Sequence, residues 1–192
     1  MKQLYISAAH KSSGKTTVAL GVCAAYAARG LRVAPFKKGP DYIDPMWLAM
    51  AAGHACHTLD FYTMEREEIL QQYYAASSTA ELALVEGNKG LFDGLAVDGS
   101  DCNGALAKLL ESAVVLVIDT GGITRGIAPL LLGYQSFDSE INFSGVILNQ
   151  TASSRHEQKL QQVVERYTDL PLLGSIRHNP EMEIVERHLG LV

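Results

Sequence analysis

Three short apolar runs constrain the fold most: LALV at 82–85, VVLVI at 114–118 and VIL at 146–148. None of them alternates with polar residues, so each has to be covered on both sides. Stretches of helical composition lie between and after them, around 103–111, 124–134 and 154–167. Uninterrupted strands alternating with helices predict an α/β fold, a mostly parallel sheet flanked by helices on both faces. LYI at 4–6 and LRVAPF at 31–36 extend the series forward, and LLGS at 172–175 adds a last strand. A helix is expected after Lys15 with Gly30 as its stop, a short one over 46–52 and a longer one over 64–76. No linker divides the 192 residues, so 1–192 reads as one domain.

In a parallel sheet, ligands bind beyond the carboxyl ends of the strands. Polar residues gather at those ends: the loop after the first strand, Asp41, Asp44, Glu86, Asp93, Asp119 and Asn149. The first of these loops reads AAHKSSGKTT over 8–17 and matches G-x-x-x-x-G-K-[ST] in Gly14, Lys15 and Thr16, with Ala9 at the first glycine. Its place between a strand and a helix is the context that a phosphate-binding loop of P-loop NTPase type requires. His10, Lys11, Ser12, Ser13, Gly14, Lys15, Thr16 and Thr17 are therefore the candidate nucleotide-binding residues. Backbone N–H groups at the helix start would face the anion, with the helix dipole assisting. Lys15 would supply a point charge and the Thr16 hydroxyl a ligand to Mg²⁺, which also needs carboxylate oxygens. Ser12 and Ser13 are small enough for a tight loop. Lys11 either adds charge near the phosphates or is a solvated loop lysine.

Glu86 ends a buried-looking strand before Gly87, so its carboxylate can reach Mg²⁺. Asp119 in DTGG is a rival that fits Asp-x-x-Gly, or else it caps the following turn. Neither NKGL at 88–91 nor NQTA at 149–152 completes the Asn-Lys-x-Asp of guanine readers, which disfavours a GTPase. GPDYIDP at 39–45 is the most distinctive stretch. Its acids are either turn chemistry or a preorganised pair, one for metal and one for substrate. His54, Cys56 and His57 lie close together without a second ligand pair, so a transition-metal site is not expected. Met46, Trp47, Leu48 and Met50 are expected to pack a helix.

The net charge of −5 and the scattered Lys and Arg residues argue against a general nucleic-acid binder. The longest apolar run, 113–118, is too short to span a membrane, and no signal-peptide stretch opens the chain. Three cysteines without C-x-x-C spacing suit a reducing cytoplasm.

AAHKSSGKTT, GPDYIDP, the H-x-L-D of His57-Thr58-Leu59-Asp60, VEGNKGLFDG, LVIDTGG and ERHLGLV occur in an order that carries a resemblance. The chain resembles the N-terminal synthetase domain of the cobyrinic acid a,c-diamide synthase family, with dethiobiotin synthetase and cobyric acid synthase as wider relatives. The resemblance runs from about Leu4 to Val192. It implies Mg-ATP-dependent phosphorylation of a peripheral carboxylate of a tetrapyrrole, followed by displacement of phosphate by ammonia to leave an amide. It also implies roles by position. Thr16, Asp44 and Glu86 are metal ligands, and Lys37 neutralises the transferring phosphoryl or the substrate carboxylate. Tyr42, Ile43 and Asp93 shape the tetrapyrrole side of the cleft, with Asp41 and Lys89 also on the substrate side. Asn149 reads adenine. The family's sheet edges fit a homodimer.

Departures from the family pattern sharpen the expectations. Ser12 stands where the family usually has glycine. Asn88 and Lys89 stand where cobyrinate enzymes tend to carry apolar residues. They place a cation beside the substrate and resemble a branch proposed to amidate sirohaem. No cysteine lies in a Gly-x-Cys-x-Gly elbow, so the glutaminase domain that feeds ammonia to full-length relatives is expected on a longer protein or a partner. A dethiobiotin-synthetase-like carboxylase and a nucleotide-switched partner protein resembling partitioning ATPases are the competing readings. GPDYIDP argues against the first, and Ala9, where the partitioning proteins use lysine, against the second.

Overall fold

The computed structural model describes residues 2–182, 184, 186–187 and 190–191. Seven strands form one sheet in the order β3-β2-β4-β1-β5-β6-β7, and every neighbouring pair is parallel. They are β1 (Lys2–Ala8), β2 (Val33–Lys38), β3 (His57–Leu59), β4 (Leu82–Glu86), β5 (Val114–Asp119), β6 (Phe143–Thr151) and β7 (Leu172–Arg177). The connecting helices are α1 (Lys15–Ala27), α2 (Asp44–Ala52), α3 (Arg66–Ser77), α4 (Asn103–Leu109), α5 (Ile127–Phe137) and α6 (Ser154–Tyr167). A 3-10 turn, Pro180–Met182, and the antiparallel pair β8 (Glu186–Arg187) and β9 (Gly190–Leu191) follow. His188, Leu189 and Val192 of the ERHLGLV motif lie outside the described residues.

Alternation along the strands sorts the interior into two cores. Ile6, Ala8, Val33, Leu82 and Leu84 pack beneath Val18 and Cys23 of α1 and Leu48 of α2. Tyr5, Phe36, Val85, Leu116 and Leu148 pack on the other face, against α3, α4, α5 and α6 through Tyr73, Leu106, Leu131 and Leu160. The chain thus leaves β1 towards β2 and β3 with its helices on one face, then returns through β4 to β7 with its helices on the other. Right-handed crossovers require that change of face. The switch falls at β1, which lies between β4 and β5, so the loop after β1 sits where such sheets bind ligands.

Local sequence sets the helix ends. Glu65 and Glu68 close a capping box at α3, and Ser153 Oγ accepts the His156 N–H at α6. Gly53 ends α2 at φ 68°. α1 stops at Ala27, before the expected Gly30, which closes the following turn at φ 73° by donating its N–H to Ala27. β3 was not expected as a strand: it has three residues, too few to show a period. On α2 only part of the expected packing occurs. Leu48 is buried, whereas Met46, Trp47 and Met50 are 69%, 37% and 74% exposed, because one face of this single layer of helix looks outward. Among the described residues, no helix is long and apolar enough to cross a membrane.

Candidate active site

The loop joining β1 to α1 is built around Gly14, whose φ of 89° is open to glycine but strained for other residues. Space reinforces the requirement: a Cβ on Gly14 would lie 2.1 Å from Asn149 Nδ2. Asn149, at the end of β6, donates that Nδ2 to the Ser13 carbonyl at 2.9 Å. The Ser13 hydroxyl donates to the His10 carbonyl at 2.8 Å. Ser12, where the resembled family has glycine, adopts φ 61°, a left-handed conformation. Ala9, at the position of the missing first glycine, is anchored from outside the loop. Its carbonyl accepts the Tyr134 hydroxyl at 2.5 Å, and a Cβ on Gly90 would come within 2.6 Å of the same oxygen. Thr17 lies half-buried in the first turn of α1, and Lys11 is exposed.

Lys15 is buried, and that burial pushes its ammonium down to about 8 against the attraction of Glu86, with Lys37 adding repulsion. The Thr16 hydroxyl donates to Glu86 Oε1 at 2.5 Å and lies 3.4 Å from Asp44 Oδ2. Glu86 ends β4 and is fully buried. Lys37 is its register partner on β2. The Lys37 ammonium lies 2.6 Å from Asp44 Oδ2, 3.1 Å from Glu86 Oε1 and 3.8 Å from Asp41 Oδ2. Burial works to lower the Lys37 ammonium, but the charges of Glu86 and Asp44 outweigh it and lift it above its ordinary value. Lys37 is therefore a fixed positive charge.

The GPDYIDP loop shows turn chemistry at Asp41 and holds Asp44 against the phosphate loop. Asp41 Oδ1 accepts the N–H groups of Ile43 and Asp44, each at 3.0 Å, while its other oxygen faces Lys37. Asp44 opens α2 and points its carboxylate at Thr16 and Lys37. Tyr42 is 87% exposed, and Ile43 is half-buried beside it. Of the two rival acids, Glu86 reaches Thr16, whereas Asp119 accepts the Gly121 N–H at 2.8 Å and caps its own turn.

Thr16, Asp44 and Glu86 fit Mg²⁺. Glu86 Oε2 is buried with no hydrogen-bond partner, an arrangement that costs free energy unless a cation or donor meets it. Two carboxylates and a hydroxyl suffice for this ion, which keeps waters and takes phosphate oxygens as its other ligands. Among the described residues, no group of three or more His, Cys, Asp and Glu is arranged to hold a metal ion. His54, Cys56 and His57 form no such group among them.

The loop after β4 carries Lys89 and Asp93. Lys89 is exposed at φ 41°, and Asp93 Oδ2 accepts the Gly90 N–H at 2.9 Å. Its organiser, Asn103 at the start of α4, was not foreseen. Asn103 Oδ1 accepts the Tyr5 hydroxyl and the Asn88 N–H, both at 3.0 Å. Its Nδ2 donates to the carbonyls of Asn88 at 2.5 Å and Gly90 at 2.7 Å. A Cβ on Gly87 would meet Asn103 Oδ1 at 2.6 Å, which explains the glycine after Glu86. In sequence, Asn103 looks like any helix-start residue, and its role depends on partners remote in the chain.

Residues 6–192 match the family described as the CobQ/CobB/MinD/ParA nucleotide binding domain. The chain is 48% identical over 190 residues to the cobyrinate a,c-diamide synthase of Magnetococcus marinus, covering 99% of this chain and 41% of that protein. It is 44% identical to the hydrogenobyrinate a,c-diamide synthase of Streptomyces coelicolor, covering 99% and 39%. The chain therefore spans about two fifths of the length of these curated relatives. Among solved structures, the signal recognition particle 54 kDa protein from Aeropyrum pernix superposes with TM-score 0.64 at 18% identity, covering 93% of this chain and 42% of that one. The hydrogenase maturation factor HypB from Archaeoglobus fulgidus superposes with TM-score 0.60 at 12% identity, covering 92% and 81%. At those identities the likeness is one of fold.

Proposed function

Because the chain belongs to the CobQ/CobB/MinD/ParA nucleotide binding domain family, we propose that it binds ATP with Mg²⁺ and activates a peripheral carboxylate of a tetrapyrrole for amidation. One observation carries the reading: Thr16 of the phosphate loop, Asp44 of the GPDYIDP loop and Glu86 of β4 converge with the Lys37 ammonium at one point. The names of the two synthases at 48% and 44% identity supply the substrate class.

Phosphoryl transfer needs alignment and charge neutralisation more than covalent help from the protein. The helix start and Lys15 would hold the outer phosphates, and Thr16, Asp44 and Glu86 would hold Mg²⁺, which neutralises phosphate charge when bound. Asn149 spends its Nδ2 on Ser13, leaving Oδ1 to accept from the exocyclic amino group of adenine. Lys37 would guide the substrate carboxylate to the γ-phosphorus. A carboxylate oxygen forms the new bond to phosphorus as the bond to ADP breaks. Ammonia then attacks the acyl carbon, phosphate leaves, and the ammonia proton is lost to solvent. Ammonia would come from a glutaminase domain of a longer protein or a partner. Tyr42, Ile43, Asp41 and Asp93 would border the macrocycle.

A second substrate within the class, sirohydrochlorin or sirohaem, is favoured by the exposed Lys89, which places a cation on the substrate-side loop. The test mixes the chain with Mg-ATP, an ammonium salt and, separately, cobyrinate, sirohydrochlorin and sirohaem. Products are followed by mass spectrometry and ADP release is measured in parallel. Amide on one macrocycle is the expected result, and ATP binding without turnover on any of them refutes the reading.

A further inference from the structure

Two adjacent lysines end β2, and only the first belongs to the nucleotide cluster. Lys37 shares a face of the sheet with Glu86. Lys38 follows Phe36 onto the opposite face, where its ammonium lies 6.0 Å from the ring centre of Phe61. Lys38 is 6% exposed, yet it makes no hydrogen bond or ion pair among the described residues. The acids nearest in its electrostatic surroundings are committed elsewhere. Asp101 accepts the N–H groups of Leu95 and Ala96, and Asp60 accepts the Tyr62 N–H and the Thr63 hydroxyl. Burial lowers the Lys38 ammonium from its ordinary value, Asp101 and Asp60 oppose that, and Lys89 adds to it. Its stem is buried but its Nζ keeps contact with solvent, so the ammonium stands unpaired where an anion arriving from outside can reach it.

We propose that Lys38 binds a second, non-reacting carboxylate of the substrate, held on one side of the end of β2 while the carboxylate at Lys37 reacts on the other. The inference rests on the carboxylate-activating reading above. Lys38 lies across the sheet from Glu86 and the phosphate cradle, so the anion it awaits is not a nucleotide phosphate. Among the described residues none supplies an acceptor within ion-pair reach, so the acceptor comes with the ligand. A polycarboxylate macrocycle can place one carboxylate on each side of the strand end. Lys38 then selects for substrates with a correctly spaced second carboxylate.

The test measures dissociation constants for cobyrinate, sirohydrochlorin, citrate and ATP with the wild type, Lys38→Met and Lys38→Arg. Removing a charge-assisted hydrogen bond weakens binding about 10- to 100-fold. Lys38→Met is expected to lose that much affinity for the macrocycle and to hold ATP within about twofold, while Lys38→Arg retains most macrocycle affinity. Should the wild type bind a macrocycle and Lys38→Met bind it equally well, the subsite is refuted while the proposed function stands. Should the wild type bind neither macrocycle, the proposed function fails, and citrate decides the subsite. Citrate binding weakened by Lys38→Met keeps Lys38 as a carboxylate site, and absent or unchanged citrate binding removes it.

Discussion

Replacing Gly14 by alanine tests whether the phosphate loop and the end of β6 are one mechanical unit. At φ 89° an alanine would carry left-handed strain of about 1–2 kcal/mol. Its Cβ would stand 2.1 Å from Asn149 Nδ2, so the amide must leave. That breaks the bond to the Ser13 carbonyl and costs a further ~1–3 kcal/mol at a buried site. Gly14→Ala should therefore destabilise by about 2–5 kcal/mol, at roughly 2–4 °C of melting temperature per kcal/mol for a chain of this size. Asn149→Ala alone should cost about 1–3 kcal/mol, since it removes only the bond. The two penalties overlap, because Gly14→Ala has already forced the bond open. Urea unfolding of both single variants and the double variant should show Asn149→Ala costing nearly nothing in the Gly14→Ala background. Costs that add within ~0.5 kcal/mol would refute the coupling and with it the claim that Asn149 braces the loop.

Three further outcomes are expected. Glu86→Gln keeps volume but loses the carboxylate facing Thr16, so Mg²⁺-dependent ATP turnover should fall at least about 100-fold with an unchanged circular dichroism spectrum. Full turnover would remove Glu86 from the metal site. The Lys15 ammonium, at about 8 in the free protein, loses its charge as pH rises, while neighbouring phosphates favour the charged form. Between pH 7 and 9 ADP affinity should weaken about tenfold with proton uptake on binding, and Lys15→Arg should flatten the profile, both readable by calorimetry in two buffers. Without nucleotide the same depressed value makes the unfolded chain the better proton binder from about pH 8 to the ordinary lysine range, so this group's share of stability rises with pH there. Asn103→Ala strands the buried Tyr5 hydroxyl and frees the loop after β4, costing about 2–4 kcal/mol in urea unfolding. Adding Tyr5→Phe to it should recover part of that loss, and failure to do so would show that the hydroxyl finds another partner.

The sequence reveals contacts that are local and conceals those that are not. The six longer strands were legible because each is an apolar run bounded by polar loops, and α6 was legible to its ends because Ser153 marks its start. β3 was hidden because three residues do not make a pattern, and its pairing with β2 is a tertiary fact. Thr16, Asp44 and Glu86 could be picked out because each sits in a distinctive motif at a strand end. Their convergence then follows from the order of β2, β4 and β1 in the sheet. Tyr134, Asn103 and Lys38 escaped for a shared reason. Tyr134 anchors Ala9 from α5, Asn103 ties β1 to a loop after β4, and Lys38 differs from Lys37 only in which way it faces. None of these relations leaves a mark within a few residues of the side chain concerned.

The adjacent lysines of β2 make the strand's chemistry a matter of parity. One place along the chain exchanges the face that looks to the phosphate loop for the face that looks to Phe61. Inserting a single residue between Phe36 and Lys37 would keep every functional side chain in the protein and swap the surroundings of all that follow in the strand. Lys37 would then stand in the place that faces Phe61, Lys38 would turn to the phosphate-loop face one place further along, and Glu86 would lose the charge opposite it. Substitutions test what each lysine contributes; an insertion there tests which side of the sheet it must occupy, a property that composition cannot record.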